Sequence, residues 1–95
     1  MDKPIKDIVA RDIRRATGSL LQRLESVMNS YAYTACNYIM ADMIEKARYY
    51  VKLFYYARSL FLRELDKAIE ELTIKTENIE ALDRKIKEEV RKWHS

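Results

Sequence analysis

His94 is the only histidine in this chain and Cys36 the only cysteine. A cysteine nucleophile needs a base that draws off its proton, and these two residues are the one pair that could supply thiol and imidazole together. His94 is the penultimate residue, where chains fray. Cys36 stands in Tyr-Thr-Ala-Cys-Asn, which carries no nucleophile signature and reads as a small packing residue. For metals, Asp42 and Glu45 lie three apart and share one helical turn, a spacing that can present two carboxylates to a hard cation. A bundle di-metal site also needs Glu-x-x-His on facing helices, and the sequence has none. The pair is read as a solvated face, with Glu45 close to Arg48 and Tyr49. A single glycine leaves no glycine-rich phosphate loop. No catalytic, cofactor-binding or metal residue is assigned. The chain is expected not to be an enzyme and to take no cofactor and no small-molecule substrate.

Binding chemistry is better represented. The chain has 18 basic and 15 acidic residues, a mild net charge of +3. The distribution says more than the sum. Residues 46–63 hold Lys46, Arg48, Lys52, Arg58 and Arg63 and no acid, whereas residues 64–80 hold six acids and two bases. Arg48, Lys52, Tyr55 or Tyr56, Ser59 and Arg63 recur at helical spacing and would form one stripe. Its cations could meet phosphates or an acidic protein while tyrosine positions or stacks. Arg11, Arg14 and Arg15 form a second basic cluster, of which Arg11 and Arg15 join the stripe as candidate contacts. The plainer reading is a solvated face with half-buried rings.

Seven tyrosines, with Met28, Met40 and Met43, crowd the middle of the chain. Tyr, Met and Arg are enriched at interface cores. Tyr49, Tyr50, Leu53, Tyr56 and Leu60 are the candidate protein-binding residues, with Ile39 a further apolar residue off the main seam. An ordinary tyrosine-rich core is the competing account. The expected partner is a protein or a second copy of the chain, with nucleic acid as a further partner and no membrane.

The elements that must carry these groups are helices. Asp2 is placed to cap a first helix with Lys3 and Pro4 in its opening turn. Ile5, Ile8, Val9, Ile13 and Ala16 then share a face. Thr17-Gly18-Ser19 interrupts the pattern, and Ser19 followed by Gln22 matches a capping box, so a second helix is predicted from Leu20. The alternative is one helix that runs through Gly18 at a cost of about 1 kcal/mol. Leu20, Leu21, Leu24, Val27 and Met28 continue the apolar face, and Asn29-Ser30 is a predicted turn. From Met40 the strongest seam begins: Ile44, Ala47, Val51, Phe54, Arg58, Phe61, Leu65, Ala68 and Leu72 alternate spacings of four and three. It predicts a long helix over about residues 38–72, covered by its shorter companions or by a second copy. Thr73, Ile74 and Thr76 are weak helix formers, so a turn is predicted within 72–78, with Thr76 or Asn78 capping a last helix that carries Ile79, Leu82, Ile86, Val90 and Trp93. The expected fold is an all-α, antiparallel three- or four-helix bundle with one long central helix, a single domain over residues 1–95.

Composition sets the frame. Ninety-five residues suffice for one modest core. The longest charge-free run, 26–41, contains Asn29, Ser30, Thr34 and Asn37 and is too polar to cross a bilayer. No secretory signal pattern opens the sequence, and the lone cysteine suits a reducing compartment, so a cytoplasmic address is expected. One glutamine and three asparagines stand against 33 charged residues, a balance that suits a thermophile.

Residues 45–67, Glu-Lys-Ala-Arg-Tyr-Tyr-Val-Lys-Leu-Phe-Tyr-Tyr-Ala-Arg-Ser-Leu-Phe-Leu-Arg-Glu-Leu-Asp-Lys, resemble the helical core of archaeal GINS replication subunits. There an acidic residue, an aromatic pair and an arginine recur along a long helix. The resemblance covers about a quarter of the chain, and that family's small β-domain has no counterpart here. In size, basic character and composition the chain is also similar to small accessory subunits of archaeal B-family DNA polymerases. Both resemblances imply replication machinery, and neither carries a binding residue over. The expected function is therefore a non-enzymatic helical interaction subunit, an accessory of DNA replication that binds a protein partner and DNA. The alternative is a dimeric nucleic-acid-binding protein, a regulator or a viral DNA-packaging component.

Overall fold

The computed structural model describes residues 4–93; the expected cap at Asp2 and the lone His94 lie outside them. The described chain is all-α: α1 spans Ile5–Arg15, α2 Leu20–Met40 and α3 Ile44–Trp93. By its contacts it divides into one compact unit up to Leu65 and a second from Asp66 onward.

The joint between α1 and α2 follows the sequence. Pro4 occupies the cap position of α1 rather than its opening turn, and its carbonyl accepts from the amides of Asp7 and Ile8. Gly18 adopts a φ of 101°, which a side chain resists. Ser19 Oγ then accepts from the Gln22 amide at 3.2 Å, and Gln22 Oε1 accepts from the Ser19 amide at 2.9 Å, so the capping box closes from both sides. Arg23 Nε donates to the Gly18 carbonyl at 2.8 Å and holds the bend.

Three expected features are corrected. Asn29-Ser30 is not a turn, because α2 passes straight through it. Val27 and Tyr31 are both buried on either side, and that burial outweighs the tenths of a kcal/mol by which Asn and Ser disfavour helix. Thr34 Oγ1 donates back to the Ser30 carbonyl at 2.9 Å without breaking the ladder. The long helix begins at Ile44 rather than near Tyr38, since the chain breaks at residues 41–43. There the Met43 amide donates to the Tyr38 carbonyl at 2.8 Å and the Asp42 amide to the Ile39 carbonyl at 3.1 Å. This is a Schellman closure, with Asp42 at a φ of 56° in the place that glycine usually fills. The predicted turn within 72–78, with its Thr76 or Asn78 cap, is also absent. Thr73 and Thr76 satisfy their hydroxyls on the Ile69 and Leu72 carbonyls, each at 2.9 Å, and α3 continues.

The core of the first unit is Ile8 and Val9 from α1, Val27 and Tyr31 from α2, and Leu53 and Ala57 from α3. Ile5, Ile13 and Ala16 pack on it, as the first-helix pattern predicts. The face that α3 buries differs from the predicted seam. Leu53 is 1% exposed and Ala57 fully buried, with Tyr50 and Leu60 packed against them; of the seam, Ala47 is buried and Phe54 packs on the core, whereas Ile44 and Leu72 are exposed. Positions 53 and 54 stand about 100° apart around the helix, so one turn offers two apolar faces and periodicity alone does not choose between them.

Two expectations follow for stability in urea. Gly18→Ala puts a Cβ 2.7 Å from Gln22 Oε1 and strains a left-handed backbone, so it should cost about 1–2 kcal/mol, while Asp42→Gly should cost nothing. Leu53→Ala should cost roughly 2–5 kcal/mol, as for a buried leucine, whereas Tyr55→Ala on the exposed face should stay within about 0.5 kcal/mol.

Candidate interaction surface

The polar cluster with the most partners joins α1 to α2. Tyr31 hydroxyl donates to Asp12 Oδ2 at 2.5 Å, and Arg11 donates through Nε and Nη2 to Asp12 Oδ1 at 3.3 and 3.2 Å. Burial, reinforced by the bond to Asp12, pushes the Tyr31 phenol well above its ordinary value. The cluster does structural work, because it satisfies a phenol that the core needs for its ring. Arg11 is tied into it, while Arg15 remains exposed at the end of α1. Reading Asn29-Ser30 as a turn hid this cluster from the sequence. The run Leu24, Val27, Tyr31, Ala35 is one continuous buried face and would have pointed to Tyr31.

The candidate protein-binding residues fall on the inside. Leu53 has no surface left for a partner, and Tyr49, Tyr50, Tyr56 and Leu60 are half-buried against the same core. Tyr50 organises the aromatic contacts: it stacks on Tyr38 with centroids 5.5 Å apart, and it meets Tyr49 edge-on at 5.4 Å and Tyr31 at 6.4 Å. Lys46 Nζ sits 5.6 Å above the Tyr38 ring. This set is an internal seam between α2 and α3.

The basic stripe is outside. Arg48, Lys52, Tyr55, Ser59 and Arg63 are all exposed along α3. Arg48 pairs with Glu45 at 3.2 Å, an exposed contact of little energetic weight. Tyr55 meets the Phe54 ring edge-on at 5.6 Å. Beside this stripe lies a surface that residue types alone did not single out. Ile39, Ile44, Ala47 and Val51 line a shallow apolar groove with Arg48 and Lys52 at its rim. Ile39 and Val51 also line a second groove with Ala35, Cys36, Phe54 and Tyr55, so the two are continuous. Of the predicted α3 seam, Ile44 is exposed in this groove, Val51 and Phe54 are half-buried in its wall, and Ala47 is buried beneath it.

In the second unit the described residues are all exposed. Its large apolar side chains run from 46% exposed at Val90 to 81% at Trp93.

Among the described residues no three His, Cys, Asp or Glu side chains gather into a metal-binding group, so Asp42 and Glu45 have no third ligand of these types. No helix of the described residues is long and apolar enough to cross a membrane. Compared with known protein families, with curated proteins and with solved structures, the chain matches none.

The Tyr31 contact yields a pH signature. The phenol ionises near pH 10 in the unfolded chain and at higher pH in the folded one, so its stabilisation is complete below about pH 10 and is lost as pH rises beyond it. Stability of the native chain should fall by up to about 1.4 kcal/mol per pH unit there through this one group. Tyr31→Phe should be less stable at neutral pH by about 1–3 kcal/mol and should show a shallower alkaline limb in urea titrations from pH 8 to 11.

Proposed function

We propose that the chain is a non-enzymatic interaction subunit that receives an amphipathic, acid-bearing helix of a protein partner. The groove lined by exposed Ile39 and Ile44 and half-buried Val51 and Phe54, with the cations of Arg48 and Lys52 beside it, carries this reading. Apolar anchors in a groove supply the affinity of helix-in-groove recognition, and cations at its edge favour an acidic helix and speed its arrival. Short joints at 16–19 and 41–43 between helices that share one core support an antiparallel three-helix bundle as the frame. The non-enzymatic reading is supported by the polar groups themselves. The Arg11–Asp12–Tyr31 cluster is occupied in packing, while Cys36, expected from the sequence to be a packing residue, is instead exposed on α2.

Replication machinery is the setting suggested by the resemblance of residues 45–67. The recurrent aromatic pairs in that stretch also have a purpose within this chain, because Tyr49, Tyr50 and Tyr56 pack on its own core. Direct nucleic-acid binding is a second reading, supported by the exposed, acid-free row of Arg48, Lys52, Tyr55 and Arg63, with Arg15 on α1.

The triple variant Arg48→Glu, Lys52→Glu, Arg63→Glu separates these ideas. All three positions are exposed, so the fold should survive within about 0.5 kcal/mol per site. A stoichiometric companion purified with the chain from its native cell should be lost by this variant and by Ile44→Ser with Val51→Ser. Recovery of the native chain alone would sink the subunit reading. Retention of DNA at low salt that fades with added salt would favour the second reading, and its absence even at low salt would remove it.

A further inference from the structure

Ile69, Leu72, Thr76, Ile79, Asp83, Ile86, Val90 and Trp93 alternate spacings of three and four without a slip, and all are exposed in the second unit. The period is 3.5 residues, which keeps its face toward a partner only if two helices supercoil. A helix of this length with no packed face is marginal in water unless its stripe is covered. We propose that a second copy of this chain covers it, and that residues 69–93 of the two copies pair as an antiparallel two-stranded coiled coil with Ile69 opposite Trp93. The proposal concerns a different surface from the groove between α2 and α3 and stands independently of it.

Charge chooses the direction. A parallel, in-register pair would set Asp83 against Asp83 in the seam, a like-charge contact where solvent is scarce. It would gain Lys75 against Glu80 on both flanks, as many opposite-charge pairs as the antiparallel alternative, so the contact in the seam decides. The antiparallel pair sets Leu72 opposite Val90, Thr76 opposite Ile86 and Asp83 opposite Ile79, so each copy's carboxylate is separated from the other's. Asp83 also has its own counter-ion, Lys87 Nζ at 3.0 Å. On one flank Lys75 of each copy meets Glu89 of the other, and Leu82 meets Leu82 at the centre. Leu82 is an exposed apolar residue beside the seam that the parallel pair would leave facing Lys87. The cost is Glu80 near Glu80 on the opposite, solvated flank, with Arg84 one turn away on each helix to offset it. One alignment thus covers every large apolar residue of the stripe and of Leu82, and pairs charges of opposite sign twice. That self-complementarity is what an isologous two-fold interface requires.

Disulfide trapping in the full-length chain tests this, with Cys36→Ser as background. Leu72→Cys and Val90→Cys variants, mixed and oxidised, should give the mixed disulfide well above the statistical yield, because facing seam positions bring the two Cβ atoms within bonding range. Sedimentation of the unmodified chain should show a dimer, and Ile79→Asp should weaken its association at least about tenfold by placing a second carboxylate in the seam. Disulfides formed only between like variants would establish a parallel pair and overturn the proposal. A monomer at all concentrations, or a stripe that is covered only after a foreign protein is added, would overturn it equally. Because the purified chain alone is measured, these results are independent of whether the groove between α2 and α3 binds its partner.

Discussion

The first unit depends on one meeting point, where Leu53 and Ala57 of α3 press on Val9 of α1 and on Val27 and Tyr31 of α2. Val9, Leu53 and Ala57 are each at most 1% exposed, and Ala57 has no side chain beyond Cβ to hold a neighbour away. Tyr31 brings a polar hydroxyl into this apolar region, and the hydroxyl would be costly there without a partner. Asp12 supplies that partner from α1, and Arg11 balances the carboxylate. This contact ties α1 to α2 beside their apolar packing and lets the Tyr31 ring serve the core.

Choosing Leu53 and Ala57 as the buried face determines what is left outside. Around α3 the neighbouring positions carry Ile44, Val51 and Phe54 on one side of the buried stripe and Arg48, Lys52, Tyr55 and Arg63 farther round. Once the core is made, the first set is an apolar groove and the second its cationic border. Neither can turn inward, because Leu53 and Ala57 already occupy the inner face. The groove and its charge are thus geometrical consequences of the packing.

Much of this was legible in the residues, and the parts that were not share a cause. Gly18, Ser19 and Gln22 announce a helix end and a helix start because each acts locally, through φ or through one hydrogen bond. The joint at residues 41–43 is also local, but its left-handed position is filled by Asp42 in place of glycine, so the chemistry that usually signals it is missing. Asn29, Ser30, Thr73 and Thr76 mislead in the opposite direction. Their preferences are real but amount to tenths of a kcal/mol; burial of Val27 and Tyr31 outweighs them at residues 29–30, and at Thr73 and Thr76 the hydroxyls bond to carbonyls one turn back without interrupting the helix. The choice between two apolar faces of α3 belongs to another level. It is made by α1 and α2, and a single helix's periodicity carries no record of them. The candidate site inherits this division: the basic stripe was readable as a solvated row, whereas the groove beside it appears only when the core face is known.

The size of the core gives these surfaces their meaning. The buried hydrophobic residues among those described are Ile8, Val9, Leu24, Val27, Tyr31, Ala35, Ala47, Leu53 and Ala57, and three of them are alanines. Small domains bury a smaller share of their chain than large ones and are correspondingly marginal. Here the alanines deepen that deficit, because each contributes little apolar area. The large apolar residues that could have enlarged the core, Ile39, Ile44, Leu72, Ile79, Ile86 and Trp93, stand outside it. A partner that covers them binds only the folded chain and therefore stabilises it, by about 2.7 kcal/mol when present at a hundredfold its dissociation constant. That gain is a large fraction of a small domain's whole stability. In the first unit, the face of α3 that α1 and α2 take decides which of its apolar residues are buried and which stay at the surface.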